Sequence, residues 1–335
     1  MKQPINKVEP IDIGISNLWC AWRKFRKGKR RSTELDEFTY YLENNLFELA
    51  RILNNDSYRH GGYKIFYVTD NKKRRIAVAR ILDRVVHRLL YEYLVPIYDP
   101  MFIGDVWSCR KGKGLLGAIK RTQQLLHRYP QSLVWRADVV KFFDNVDRNV
   151  LFALLQKQIL DDRALRILHE VITSSLLIEN RSGVTSKGIP IGNLTSQIFA
   201  NIYLNEFDQF IKKILKPQGY VRYGDDFIVI APTREAIDRI EREATIFLSE
   251  HLGLALHEKN NVIVHVRHGL HFLGMRIYPA GRTLNKRNLA RIQNRLTIRN
   301  IASYNGLVRQ HMKPNHAKAF QWKIMGTLDY SEHVH

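Results

Sequence analysis

Apolar residues recur at four-residue steps through Leu194, Ile198 and Ile202 and again through Phe207, Ile211 and Leu215. That spacing predicts a long helix from about Leu194 to Leu215 with one buried face. Other stretches have strand composition. "YVRY" and "FIVIA", at Tyr220–Tyr223 and Phe227–Ala231, read as a hairpin with its tip at Gly224 to Asp226. "YKIFYVTDNKKRRIAVAR", from Tyr63, reads as two strands joined by a basic turn, and "SLVWRADVVKFF", from Ser132 to Phe143, as one strand. Helical patterning covers Thr33–Asn54, Asp83–Tyr98, Asn149–Leu160, a segment ending near Leu252 and the basic tail from Asn285. "HFLGMRIY" is a short strand or turn, and "KGIPIGN" a glycine-flanked turn ahead of the long helix. The mixed order predicts an α+β fold, with helices packed on one face of a sheet and no repeat or long linker.

Composition adds a partner. The chain has 335 residues, 45% of them apolar, enough for a sizeable core. Its 53 Lys+Arg against 32 Asp+Glu give a net charge of +21, which points to a long polyanion whose binding weakens steeply with salt. "LWCAWRKFRKGKRR" interleaves Trp19, Trp22 and Phe25 with cations, a pattern suited to nucleic acid; a solvated basic helix is the competing reading. No apolar run approaches the roughly 20 residues of a membrane span, and the N-terminus lacks an apolar signal core, so a cytoplasmic protein is expected. Cys20 and Cys109 are too few and too far apart for a disulfide framework or a cysteine zinc site.

Chemistry concentrates at the hairpin tip. Asp225 and Asp226 are adjacent like charges between apolar strands. A solvent-exposed turn is the competing reading; buried strands ending this way need a compensating cation. Oxygen ligands of this kind select Mg²⁺ or Mn²⁺. Asp138, at the end of "LVWRAD", is the candidate third carboxylate. Two ions about 4 Å apart would activate a 3′-hydroxyl and stabilise departing pyrophosphate, which is nucleotidyl transfer.

"ADVVKFFDNVD", "GIPIGNLTSQIFANIYLNEFD", "RYGDDF" and "FLGMRI" resemble, in order, motifs A, B, C and E of reverse transcriptases. "YRHGGYKIFYVTD" and "RRIAV" resemble the fingers, and "SYNGLV" a thumb. Within that family "GIPIGNLTSQ" most resembles the enzymes of diversity-generating retroelements, which copy a template RNA with errors at adenines and work with a small basic accessory oligomer, the variability determinant. The resemblance implies a right-hand polymerase fold with a ferredoxin-like palm. It divides the chain into a basic N-terminal extension (1–35), fingers (36–137), palm (138–148 and 188–280) with intervening helices (149–187), and thumb with tail (281–335).

The resemblance also implies roles. Asp138, Asp225 and Asp226 are catalytic, and they bind two Mg²⁺ ions together with the Val139 carbonyl. Phe143 faces C2′ of the incoming dNTP and selects DNA synthesis, since "YGDD" alone also occurs in RNA-dependent RNA polymerases. Phe142 should point the other way along the strand, into the core. Arg75, with Lys73 or Lys72, meets the triphosphate, unless this is only a solvated turn. Gly192 lets the backbone approach the nucleotide, and Gln197 bonds either template, nucleotide or backbone. Arg110, Lys111 and Lys113 of "SCRKGKG", with Tyr223 and the primer-grip Gly274, contact nucleic acid; part of the loop's charge is solvated. Phe272 and Leu273 pack beneath the grip. Asp147 is expected to cap the helix that follows it.

Ile191 is a departure from retroviral relatives, which carry glutamine there. Losing an amide that fixes the nucleotide should loosen discrimination by about 1–3 kcal/mol, and a plain packing role is the alternative. In motif D, Lys259 or Asn260 occupies the matching position. Little chain follows the thumb-like segment, so no appended nuclease is expected. A retron-like, phage-defence or group II intron-like enzyme is the second reading, and a non-catalytic RNA-binding scaffold the third.

Overall fold

The computed structural model describes residues 9–69, 73–174, 186–297 and 300–311, together with 318, 320–322 and 324–325. In chain order the helices and strands are α1 (Ile15–Arg26), α2 (Thr33–Tyr40), α3 (Leu42–Asn54), β1 (Tyr63–Thr69), β2 (Lys73–Ala79), α4 (Ile81–Tyr98), α5 (Leu115–Arg128), β3 (Leu133–Asp138) and α6 (Phe142–Asn145). There follow α7 (Arg148–Gln156), α8 (Asp162–Thr173), α9 (Leu194–Phe210), β4 (Gly219–Tyr223), β5 (Asp226–Ala231) and α10 (Arg234–Leu252). The last are β6 (Val262–His265), β7 (Leu270–Phe272), β8 (Met275–Tyr278), β9 (Gly281–Leu284), α11 (Lys286–Asn294) and α12 (Ile301–His311). No helix of the described residues is long and apolar enough to cross a membrane.

The chain divides into two compact units. The first comprises Met1–Gly104, Val139–Ile214 and Ala244–Ala255; the second comprises Asp105–Asp138, Leu215–Glu243 and Leu256–His335.

In the first unit α1 packs on α3 and α4, and α4 on α9. Leu18, Trp22 and Phe25 are the buried stripe of α1, so two of the three aromatics of the basic segment belong to the core and only Trp19 is exposed. The long helix forms as its periodicity predicts, but its last five residues, Ile211–Leu215, wind as a π-helix. Its burial is wider than one face. Asn201, Asn205 and Asp208 are buried along with Ile198, Ile202 and Phe207, so α9 is a central helix. The single strand expected through Phe143 stops at Asp138. Lys141 turns the backbone into the left-handed region at φ 41°, and Phe142–Asn145 form a short helix. Phe142 is buried against Tyr203, as expected, and Phe143 is half-buried, although helical geometry and not strand alternation separates them. Asp147 caps α7, accepting from the Asn149 and Val150 amides.

In the second unit a four-stranded antiparallel sheet runs β4-β5-β3-β6. Register fixes its faces. Val134, Val221, Ile228 and Ile230 share one face and join α5 (Ile119, Leu125, Leu126) and the three-stranded meander β7-β8-β9 in one core. Trp135, Phe227 and Tyr220 occupy the other face, with the Trp135 and Phe227 rings edge-to-face at 5.3 Å. Edge strand β6 was not anticipated by the sequence reading, and "HFLGMRIY" is a full hairpin that gains a third strand from Gly281–Leu284.

Candidate active site

β3 and β5 bring two carboxylates together. Their antiparallel register sets Asp138 directly opposite Asp226, so both side chains leave the same face, with Cα atoms about 4.5–5.5 Å apart as for any facing pair. Tyr223 faces Asp226 from β4, and Gly224–Asp225 form the two-residue turn between these strands. Gly224 has φ +67°, a conformation that glycine adopts without strain. Arg222, wholly buried, donates from Nη1 to the Gly224 carbonyl at 2.9 Å and thereby braces the turn.

One residue at this face, Arg136, was not expected from the sequence, and a second, Asn260, was an alternative there for motif D. Arg136, two positions before Asp138 and on the same face, donates from Nε and Nη2 to the two oxygens of Asp226, each at 3.0 Å. Asn260 donates from Nδ2 to Asp138 Oδ2 at 3.0 Å, while the His257 amide holds the Asp138 carbonyl at 2.8 Å. Asn260 thus lies beside the carboxylates, and Lys259 is exposed.

Arg136 revises the charge argument. Part of the compensation that the paired aspartates require is supplied by the chain itself. It is not complete. Burial pushes Asp226 up to about 6 despite the Arg136 hydrogen bonds and charge, and Asp138 and Asp225 push the same way. The face thus retains unbalanced negative charge, which suits a divalent cation. Among the described residues no group of three or more His, Cys, Asp or Glu side chains gathers as a metal cluster. The carboxylates at this end of the sheet are Asp138, Asp225 and Asp226, of which Asp226 carries the Arg136 fork and Asp138 the Asn260 hydrogen bond.

The expected nucleotide-facing residues lie in the first unit. Arg75 is exposed on β2 opposite Tyr67, Lys73 is the first residue of that strand, and Lys72 lies outside the described residues. Ile191 is half-buried; Gly192 and Gln197 are exposed. The basic loop is less available than its charge suggests. Lys113 lies over the Trp107 ring at 4.2 Å, Arg110 donates to the Val106 carbonyl at 3.3 Å, and Lys111 is exposed. Leu273 (φ 51°) and Gly274 (φ 78°) make the β7–β8 turn, with Phe272 buried and Leu273 packed on the core. A Cβ on Gly274 would meet Asn288 Nδ2 at 2.6 Å, and that amide donates to the Gly274 carbonyl at 3.0 Å.

The sheet thus ends in two facing carboxylates beside a glycine turn that carries a third. The reverse transcriptase (RNA-dependent DNA polymerase) family matches residues 67–277, and the chain belongs to that family. Among curated proteins it is 25% identical to protein YkfC of Escherichia coli over 244 residues, covering 62% of this chain and 64% of that one. It is 21% identical to the group II intron-encoded protein LtrA of Lactococcus lactis over 326 residues, covering 76% of this chain and 54% of that one. The chain thus spans less than two thirds of the length of these relatives. A solved structure of telomerase from Candida albicans with a fragment of telomeric RNA aligns at a TM-score of 0.49 and 14% identity, covering 75% of this chain and 51% of that one.

Proposed function

We propose that this protein is an RNA-directed DNA polymerase that extends a primer on an RNA template by two-metal nucleotidyl transfer. One observation carries the reading: Asp138 faces Asp226 across β3 and β5 with Asp225 at the adjoining turn, in a chain of the reverse transcriptase family. Asp138, Asp225 and the Val139 carbonyl would hold the ions, which when bound supply charge stabilisation and a more acidic 3′-hydroxyl. Arg136 keeps Asp226 oriented and partly neutralised. Asn260 fixes the rotamer of Asp138. Phe143 takes the place beside the sugar, Arg75 and Lys73 the triphosphate, and Ile191, Gly192 and Gln197 the nucleotide and template. Primer extension with dNTP and Mg²⁺, wild type against Asp225→Asn, tests it: product from the first and none from the second is expected. Equal product from both would refute it.

The finer reading is a diversity-generating retroelement enzyme, supported by "GIPIGNLTSQ" and by isoleucine at 191. On that reading the enzyme works as a ribonucleoprotein with a basic accessory oligomer in mutagenic retrohoming. The similarity to LtrA supports the group II intron-like reading instead. Sequencing cDNA separates them. Substitutions concentrated at template adenines, reduced in Ile191→Gln, favour the first; a uniform low error rate, unchanged by that substitution, favours the second.

A further inference from the structure

Asn193 stands just ahead of α9, where asparagine ordinarily accepts from the first helical amides. Here it makes no such cap. Its side chain is buried, at 4% exposure, and reaches β2 instead: Nδ2 donates to the Ala77 carbonyl at 3.1 Å and Oδ1 accepts from the Ala79 amide at 3.3 Å. Two positions earlier the Ile191 carbonyl accepts from the Ala77 amide at 2.9 Å. The backbone groups that a third strand would satisfy on β2 are thus met by one loop carbonyl and one amide side chain.

The packing is close. Gly192 has φ +119°, and a Cβ there would lie 2.8 Å from Ile76 Cγ2 and 3.1 Å from the Ala77 carbonyl. A second tie follows two residues later, where Thr195 Oγ1 lies 2.6 Å from Nδ1 of the buried His87 on α4, and His87 Nε2 lies 3.1 Å from His60 Nε2. The hairpin needs such support. β1 is exposed from Lys64 to Thr69, and a two-stranded hairpin with so little buried surface is marginal by itself.

We propose that Asn193 is a positioning residue that locks the loop Ile191–Asn193 onto the free edge of β2, so that the hairpin bearing Arg75 and the loop bearing Ile191 and Gly192 are held as one nucleotide-binding body. The functional half of this statement rests on the polymerase reading; the mechanical half does not. The mutation that isolates it is Asn193→Ser, which keeps a residue favoured at helix starts but is too short to reach β2.

Two readouts on the full-length protein test the clamp. Amide hydrogen exchange at Ala77 and Ala79 should quicken on the order of ten-fold in Asn193→Ser and in Asn193→Ala, while the centre of α9 stays protected. In primer extension the KM for dNTP should rise on the order of ten-fold with a smaller fall in kcat, a split that general loss of folded protein would not produce. Asn193→Asp, which sets a carboxylate against the Ala77 carbonyl, should match or exceed the alanine variant. Unchanged protection at both amides overturns the clamp, and unchanged KM in an active enzyme overturns its role in nucleotide binding. A wild type with no polymerase activity would count against the proposed function alone, because exchange still reads the clamp.

Discussion

The β3–β5 sheet and the β1–β2 hairpin are both antiparallel, yet they are held by different means. Five consecutive residues of β5, Phe227–Ala231, are buried, with packed side chains on both faces of the sheet. Six of the seven residues of β1 are exposed. The first arrangement stabilises each large apolar side chain by about 1.5–3 kcal/mol and fixes the carboxylates at its end. The second contributes little to stability and leaves Arg75 exposed. On the proposed function, chemistry that requires side chains fixed to a fraction of an ångström would be built on the former, and contact with a substrate that comes and goes on the latter.

This contrast is open to direct tests. Asp225→Asn should reduce primer extension on the order of 10³-fold, as removal of other charge-stabilising groups does, with little change in thermal midpoint. Ile228→Ala should cost about 2–5 kcal/mol in urea unfolding, whereas Phe66→Ala on the exposed hairpin should cost no more than about 0.5 kcal/mol. Comparable losses would erase the distinction. pH sharpens the palm side. Because burial raises Asp226 to about 6 in the folded protein, the unfolded chain releases its proton first, and this group's contribution falls as pH rises from about 4 to about 6. Without divalent metal, the stability of Asp226→Asn relative to wild type should therefore increase across that window, by at most about 3 kcal/mol. A flat difference would show that Asp226 titrates normally. The smallest effect on activity is expected for Arg75→Ala: KM for dNTP raised about ten-fold, with unfolding unchanged.

Much of this architecture was legible in the sequence because its signals are local. The hairpin at Tyr220–Ala231 has alternation and a glycine turn, the long helix has its four-residue steps, and Asp147 sits immediately before a helix. The reverse transcriptase family was legible in four ordered motifs. What the sequence hid depends on distant partners. Arg136 looked like one more cation in a basic chain, and its bond to Asp226 spans 90 positions. Asn260 reaches Asp138 over 122. β6 is a four-residue edge strand without a buried alternation, and the burial of Asn201, Asn205 and Asp208 depends on neighbours that the four-residue steps do not announce. Phe142–Asn145 form a short helix after Lys141 breaks the strand in a left-handed conformation that composition does not announce.

The central claim is that Asp138 and Asp225 hold the ions while Arg136 retains Asp226. Anomalous diffraction from crystals grown with Mn²⁺ and a non-reactive dNTP analogue tests it most directly. The account predicts manganese at about 2.1 Å from oxygens of Asp138 and Asp225, the distance of a small hard cation, with the Arg136–Asp226 fork intact. Manganese elsewhere, or bound with Asp225 uninvolved, would contradict it.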